Sequence, residues 1–303
     1  MWGILEYLGQ SNNNTTSINP DKKFKFIDDL SILEIINLIS IGMASYNFNA
    51  HVPSNIPENG YVISNTNMKT QQYINQISEW TKEKKMKLNQ KKCNGMIFNF
   101  CKEYQFTCKI LIENEEMGLI SQTKLLGVIV NDSLTWEENT KFLVQRANSR
   151  LRLLHKLTSF SVPKEDLVNI YILYIRSVLE QSCQVWHSSL TLENCQDLER
   201  VQKNSLKIIL QDEYNNYNNA LALTGLKSLS ERRNDLCLRF AKACVKNNQT
   251  KSMFPLNPTN NSYDINTRYR EKFTVTKCNT KRLQKSAIPH MQSLLNAYET
   301  CKK

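Results

Sequence analysis

Apolar positions along this 303-residue chain recur with two periods, and the change from one to the other divides the sequence. Phe24 and Phe26 alternate with Lys25 as a half-buried strand does, and apolar residues resume at Leu30, Ile32 and Leu33 after Asp28-Asp29. The pattern predicts a β-hairpin carrying the two aspartates at its turn. Residues 11–21, rich in Asn, Ser and Thr, predict a loop before it. Ile35 to Ile41 reads as an apolar helical segment, and the polar stretch with Pro53 and Pro57 as an exposed excursion. From Lys69 the spacing becomes helical, with Tyr73, Ile74, Ile77 and Trp80 on one face and the basic run Lys82, Lys84, Lys85 and Lys87 on the same helix. Three strand-like runs follow, Met96–Phe98, Phe106–Ile112 and Leu125–Val130, and Asn131-Asp132 supplies turn residues.

Beyond Trp136 the pattern is almost wholly helical. One amphipathic helix is marked by Phe142, Leu143, Ala147, Leu151 and Leu154. Pro163 suits the first turn of a second, through Leu167, Ile170, Tyr171, Tyr174 and Val178. A third passes through Leu198, Val201, Leu206 and Ile209, and a fourth through Leu236, Phe240 and Cys244. These stripes are read as core packing. No internal repeat is present. The fold class expected is α+β: a loop or leader over 1–23, a short antiparallel sheet region over 24–137, a helical region over 138–250 and a basic segment over 251–303.

Length allows one large domain or two ordinary ones. The net charge of +11 and pI near 9.1 suit a polyanionic partner, nucleic acid first, although a basic protein without such a partner has the same composition. Nine cysteines contain no CxxC pair, so they read as reduced thiols of an intracellular protein rather than zinc ligands. His187 follows Cys183 by four residues without a second ligand pair, and is read as structural. No run is long and apolar enough to span a membrane, and the first residues lack the pattern of a signal peptide. The expectation is an intracellular chain, in nucleus or cytoplasm.

Paired carboxylates beside hydrophobic strands are costly to bury unless a cation neutralises them, and a hard divalent metal is their natural partner. Two such metals activate a hydroxyl and stabilise a leaving pyrophosphate in nucleotidyl transfer. A solvated Asp-Asp turn is the other reading of the same residues. Near the other end, Arg268, Arg270, Lys272, Lys277, Lys281, Arg282 and Lys285 are interleaved with Tyr269 and Phe273. Such a mix suits single-stranded nucleic acid, through phosphates and base stacking, and equally describes a solvated basic tail.

The segments FKFIDDLSILEIINL, ISEWTKEKKMKLNQKKCNGMIFNF, KLLGVIVNDSLTWEENT, ANSRLRLLHKL, VNIYILYIRSVLEQSCQVWHSSLT and DLERVQKNSLKIIL, in this order, resemble the C-terminal half of a non-LTR, LINE-type (jockey-like) retrotransposon reverse transcriptase. The likeness runs from about Phe24 to at least Leu210. It implies a palm hairpin with an aromatic-x-Asp-Asp motif, a following palm strand, a primer-grip hairpin and thumb helices. By this resemblance Asp28 is a catalytic metal ligand, for Mg²⁺ with Mn²⁺ as a substitute, and Asp29 its electrostatic neighbour. Phe26 lies near the primer terminus and incoming nucleotide, Lys92 fits the lysine of the Asn-x-x-Lys motif, and Leu126 with Gly127 fits the primer grip. Cys93 stands where the family has Thr or Ser. The implied partners are an RNA template, a DNA primer and dNTPs.

The sequence departs from the family pattern ahead of the hairpin. The fingers, the earlier palm strand with its aspartate and the Gly-containing nucleotide-binding segment have no counterpart before Asp28, and Asp21 is no substitute. In-line displacement with two metals needs ligands from both strands. The expectation is therefore the palm, thumb and C-terminal part of an RNA-directed DNA polymerase that does not extend a primer alone; the other reading is a non-catalytic nucleic-acid-binding remnant of a transposable element.

Overall fold

The computed structural model describes residues 60–63, 69–86, 88–100, 105–257 and 272–301. The Asp28-Asp29 hairpin, the 35–41 helix and the proline-containing stretch lie outside them. Two compact units, Met1–Leu134 and Thr135–Lys303, divide the chain. Among the described residues the first unit holds small strand pairs and a helix and the second is mainly helical, so the chain is α+β in the coarse sense.

In the first unit, α1 spans Lys69–Glu83. Ile74, Ser78 and Thr81 fall on its buried side. Its Gln71 amide donates to the Leu111 carbonyl and accepts from the Leu111 N–H, both at 2.8 Å, so a side chain pairs with the backbone as a neighbouring strand would. The helix stops earlier than its basic run. Lys85 takes a left-handed φ of 56°, while Met86 N–H bonds to Thr81 O and Lys85 N–H to Lys82 O. This double closure consumes the last carbonyls and turns the chain away. Lys84 and Lys85 are thus in a turn rather than on the helix.

Strands β1 (Gly60–Ile63) and β3 (Gln105–Cys108) pair in parallel, as do β2 (Asn94–Gly95) and β6 (Gly118–Leu119). Strands β4 (Leu111–Ile112) and β5 (Glu115–Glu116) pair antiparallel, as do β7 (Gln122–Leu125) and β8 (Val128–Asn131). Among the described residues the short antiparallel sheet expected here takes the form of four separate two-stranded pairs, two of them parallel. Met96–Phe98 forms no strand. Leu125–Val130 is not one strand but the two ends of a hairpin around Leu126-Gly127. Ile74, Cys108, Ile110 and Ile112 form this unit's small core, against Leu88, Cys93, Ile97 and Met117.

The second unit begins with α2, Glu137–Ser159. Helix α3 (Lys164–Ile170), capped by Pro163, runs on through a π turn, Tyr171–Arg176, into a last turn at Ser177–Leu179. Then come α4 (Cys183–Trp186), α5 (Leu192–Leu210), α6 (Tyr217–Thr224), α7 (Leu229–Lys246), α8 (Lys281–Gln284) and α9 (Ala287–Cys301). Helix α2 packs on α5, and α7 on α9. Leu143, Ala147 and Leu154 of α2 and Leu198, Val201, Leu206 and Ile209 of α5 are buried, each large aliphatic contributing about 1.5–3 kcal/mol of burial. Residues 272–301 are not a solvated tail. Phe254, Phe273, Met291 and Leu295 share a core with Cys237, Ala241 and Cys244. Asn296 clamps Phe273, accepting from its N–H and donating to its carbonyl at 2.9 Å each.

Candidate nucleic-acid interface

Between Glu138 and Glu165 the chain has no acidic residue but six cations: Lys141, Arg146, Arg150, Arg152, Lys156 and Lys164. The helical period turns the apolar positions of α2 inward and leaves these charges on its other side. Lys141 is neutralised by Glu137 at 2.7 Å and Glu138 at 3.3 Å. Arg146, Arg152 and Lys156 are exposed, and none of the ion pairs formed among the described residues involves them.

Aromatic and apolar side chains share this side. Leu153 and Phe160, on α2 and at its C-terminus, are 42% and 68% exposed, and Leu173 and Tyr174 of the π turn 75% and 43%. Arg150 joins the two elements. Its guanidinium lies 4.3 Å from the centroid of the Tyr174 ring and its Nη1 donates to the Tyr174 carbonyl. The π turn re-aims Leu173 and Tyr174, since an extra residue per turn rotates the helix face. On α5, Lys203 stacks on Tyr217 at 5.1 Å and Lys207 on Tyr214 at 5.5 Å. Exposed cations beside exposed aromatic side chains can bind phosphates and stack on bases.

Of the residues singled out from the sequence, Asp28, Asp29, Phe26, Arg268 and Arg270 lie outside the described residues. Lys92 ends a 3-10 turn, Gln90–Lys92, and is exposed. The open cleft beside it is lined by Lys91, Cys93, Glu115 and Glu116, not by Lys92. Leu126 and Gly127 form the β7–β8 turn with φ of 49° and 85°, and Leu126 is 45% exposed. Lys272 is paired to Glu299 at 3.6 Å and lies 5.8 Å from the Phe273 ring. Lys281 and Arg282 are exposed in the short α8. Among the described residues no group of three or more His, Cys, Asp or Glu side chains is placed to hold a metal, and Asp28, the proposed Mg²⁺ ligand, is not one of them. The individual residues named from the sequence for nucleic-acid binding are all in the C-terminal segment; the cations of α2, within the thumb-like region, are not among them, although the acid-free stretch is visible in the sequence.

The polar groups inside the helical unit are structural. Gln202, fully buried, accepts from Tyr171 OH at 2.5 Å and donates to Tyr217 OH at 2.9 Å and the Lys227 carbonyl at 3.0 Å. Tyr217 in turn donates to Glu199, which also accepts from Ser230 N–H at 2.9 Å. Burial pushes the Tyr171 hydroxyl up, and burial together with Glu199 does the same to Tyr217, so both stay protonated donors. Arg233, also fully buried, donates from Nε to His187 Nδ1 at 3.1 Å. Asn234 Oδ1 lies 3.1 Å from His187 Nε2 and 3.2 Å from His290 Nε2. Burial, with Arg233 beside it, holds the His187 pKa down to about 4; burial also lowers that of His290.

No helix among the described residues is long and apolar enough to cross a membrane. No family model, no curated protein and no solved structure matches the chain.

Proposed function

We propose that this chain is the palm, thumb and C-terminal part of a non-LTR-type reverse transcriptase, whose helical unit holds the nucleic acid. The observation that carries the reading is α2: an acid-free run in which Arg146, Arg152 and Lys156 are exposed beside the exposed Phe160 and Tyr174, in the part of the chain whose sequence resembles a thumb. The Asp28-Asp29 motif supports the assignment to polymerases, with Asp28 as the Mg²⁺ ligand. Leu126-Gly127 in a tight hairpin turn supports the primer-grip reading, because a turn with so little side-chain bulk at Gly127 lets backbone approach a strand.

Binding is tested by fluorescence anisotropy with single-stranded RNA and a primer–template duplex across a salt series. Affinity is expected to fall steeply with salt, and Arg146→Gln, Arg152→Gln and Lys156→Gln together to weaken it at least ~10-fold while flattening the salt slope by about 2. Salt-insensitive binding, or a triple variant equal to the parent, would refute the interface. Primer extension separates catalysis from binding alone. The chain by itself is expected not to extend a primer, as in-line displacement needs metal ligands from both palm strands; template-dependent extension that is lost on Asp28→Asn would overturn that expectation.

A further inference from the structure

We propose that the outer face of α2, with the π turn beside it, selects an unpaired nucleic-acid strand over a duplex. Phe160 and Tyr174 each stack on a base while the flanking cations hold the phosphates. The proposal rests on the nucleic-acid reading of α2 and narrows it from any polyanion to a single strand.

Helical geometry arranges the side chains of this face in rows. Arg146, Leu153 and the capping residue Phe160 follow one another at intervals of seven residues, close to two turns, so they lie along one line of the helix. Arg152 and Lys156, one turn apart and both exposed, border that line on one flank. Arg150 borders it on the other, where the π turn packs against α2. There the Arg150 guanidinium stands 4.3 Å from the centroid of the Tyr174 ring, and Tyr174 is itself 43% exposed. Phe160 is 68% exposed, and among the described residues its ring meets no cation and no second ring. An apolar line thus runs between two cationic flanks.

Cations by themselves favour a duplex, whose charge density is the higher. A duplex, however, offers this face only phosphates and groove edges, because its bases are stacked on one another. A protein ring can take a base only from an unpaired strand, and every base has a face to offer, so such stacking tolerates any sequence. The Arg150 guanidinium against Tyr174 holds that ring in place before a strand arrives, which lowers the cost of ordering it. The sign of the charge argues against self-association through the same face. No acidic residue lies between Glu138 and Glu165, so a second copy would bring the same cations and be repelled.

The test is fluorescence anisotropy of the full chain at one fixed salt concentration with three labelled probes of equal length: oligothymidylate, an abasic DNA strand and a thymidylate–adenylate duplex. Oligothymidylate is expected to bind at least ~10-fold tighter than either of the others. Phe160→Ala should cut that preference roughly 10-fold and Phe160→Trp should restore it, since one stacked base is at stake. Arg152→Gln with Lys156→Gln should instead weaken all three probes. An abasic strand or duplex bound as tightly as oligothymidylate, or a preference unchanged in Phe160→Ala, overturns the single-strand proposal and leaves phosphate binding by α2 standing. Binding of none of the probes brings down both, as does a dimer in sedimentation that Phe160→Ala abolishes. The comparison of probes on the unaltered chain decides the matter even where a variant does not fold.

Discussion

Leu126 adopts a φ of 49° and Gly127 one of 85°, the pair of left-handed conformations that a two-residue hairpin turn of this type requires. Glycine accepts such angles freely, but leucine is strained there, and Asn or Gly would serve the turn better. The Leu126 side chain is largely exposed, so core packing does not explain it. Leu126→Asn should therefore raise unfolding stability by about 0.5–1 kcal/mol, read from urea melts; under the primer-grip proposal the same change weakens primer–template binding. A second prediction concerns His187. Its folded pKa of about 4 lies below the ~6.5 of an exposed histidine, so between these values the unfolded chain binds the extra proton. Stability is full above pH 6.5 and should decline toward pH 4 by about 2–3 kcal/mol from this group. Urea melts across that range should show His187→Gln less pH-dependent than the parent; equal slopes would refute the assignment.

Helix bodies were the most legible elements, through their apolar period, while their beginnings are set by side chains that cap locally. Ser228 accepts from Glu231 N–H and Glu231 reaches back to Ser228, a complete capping box for α7. Ser228→Ala should cost about 1 kcal/mol in thermal or urea unfolding with no change in fold. Helix ends were less legible. Lys85 closes α1 in a role that glycine usually takes, so composition gave no warning that the basic run leaves the helix. Short strands were least legible. A run such as Leu125–Val130 has the same apolar content as one strand or as a hairpin, and the partner, which lies elsewhere, decides between them. The π turn likewise has no local signature: apolar spacing through Tyr171, Tyr174 and Val178 fits an ordinary helix, and packing chooses the wider turn.

At the scale of the molecule, buried and exposed charge part company. The +11 net charge predicts a polyanion partner without saying where it binds, and the salt series with the α2 triple variant tests the place the structure favours. The acid-free stretch of α2 is written in the sequence; that Tyr174 turns to meet Arg150 beside it is not, because a helical stripe alone does not reveal which neighbouring helix contributes the ring. The C-terminal segment shows the reverse case. Its charges read as a tail, yet Phe273, Met291 and Leu295 are drawn into the core of α7, since apolar burial outweighs the cost of ordering a polar segment whose amides are satisfied by Asn296 and Gln292. The helical period after Trp136 and the sign of the charge were settled in the sequence, because a period needs only neighbouring residues and a net charge needs no partner. Tertiary structure decided the strand pairings, the burial of Arg233 against His187 and Trp186 and the meeting of Arg150 with the Tyr174 ring, because each depends on groups far apart in sequence that only the folded chain brings together.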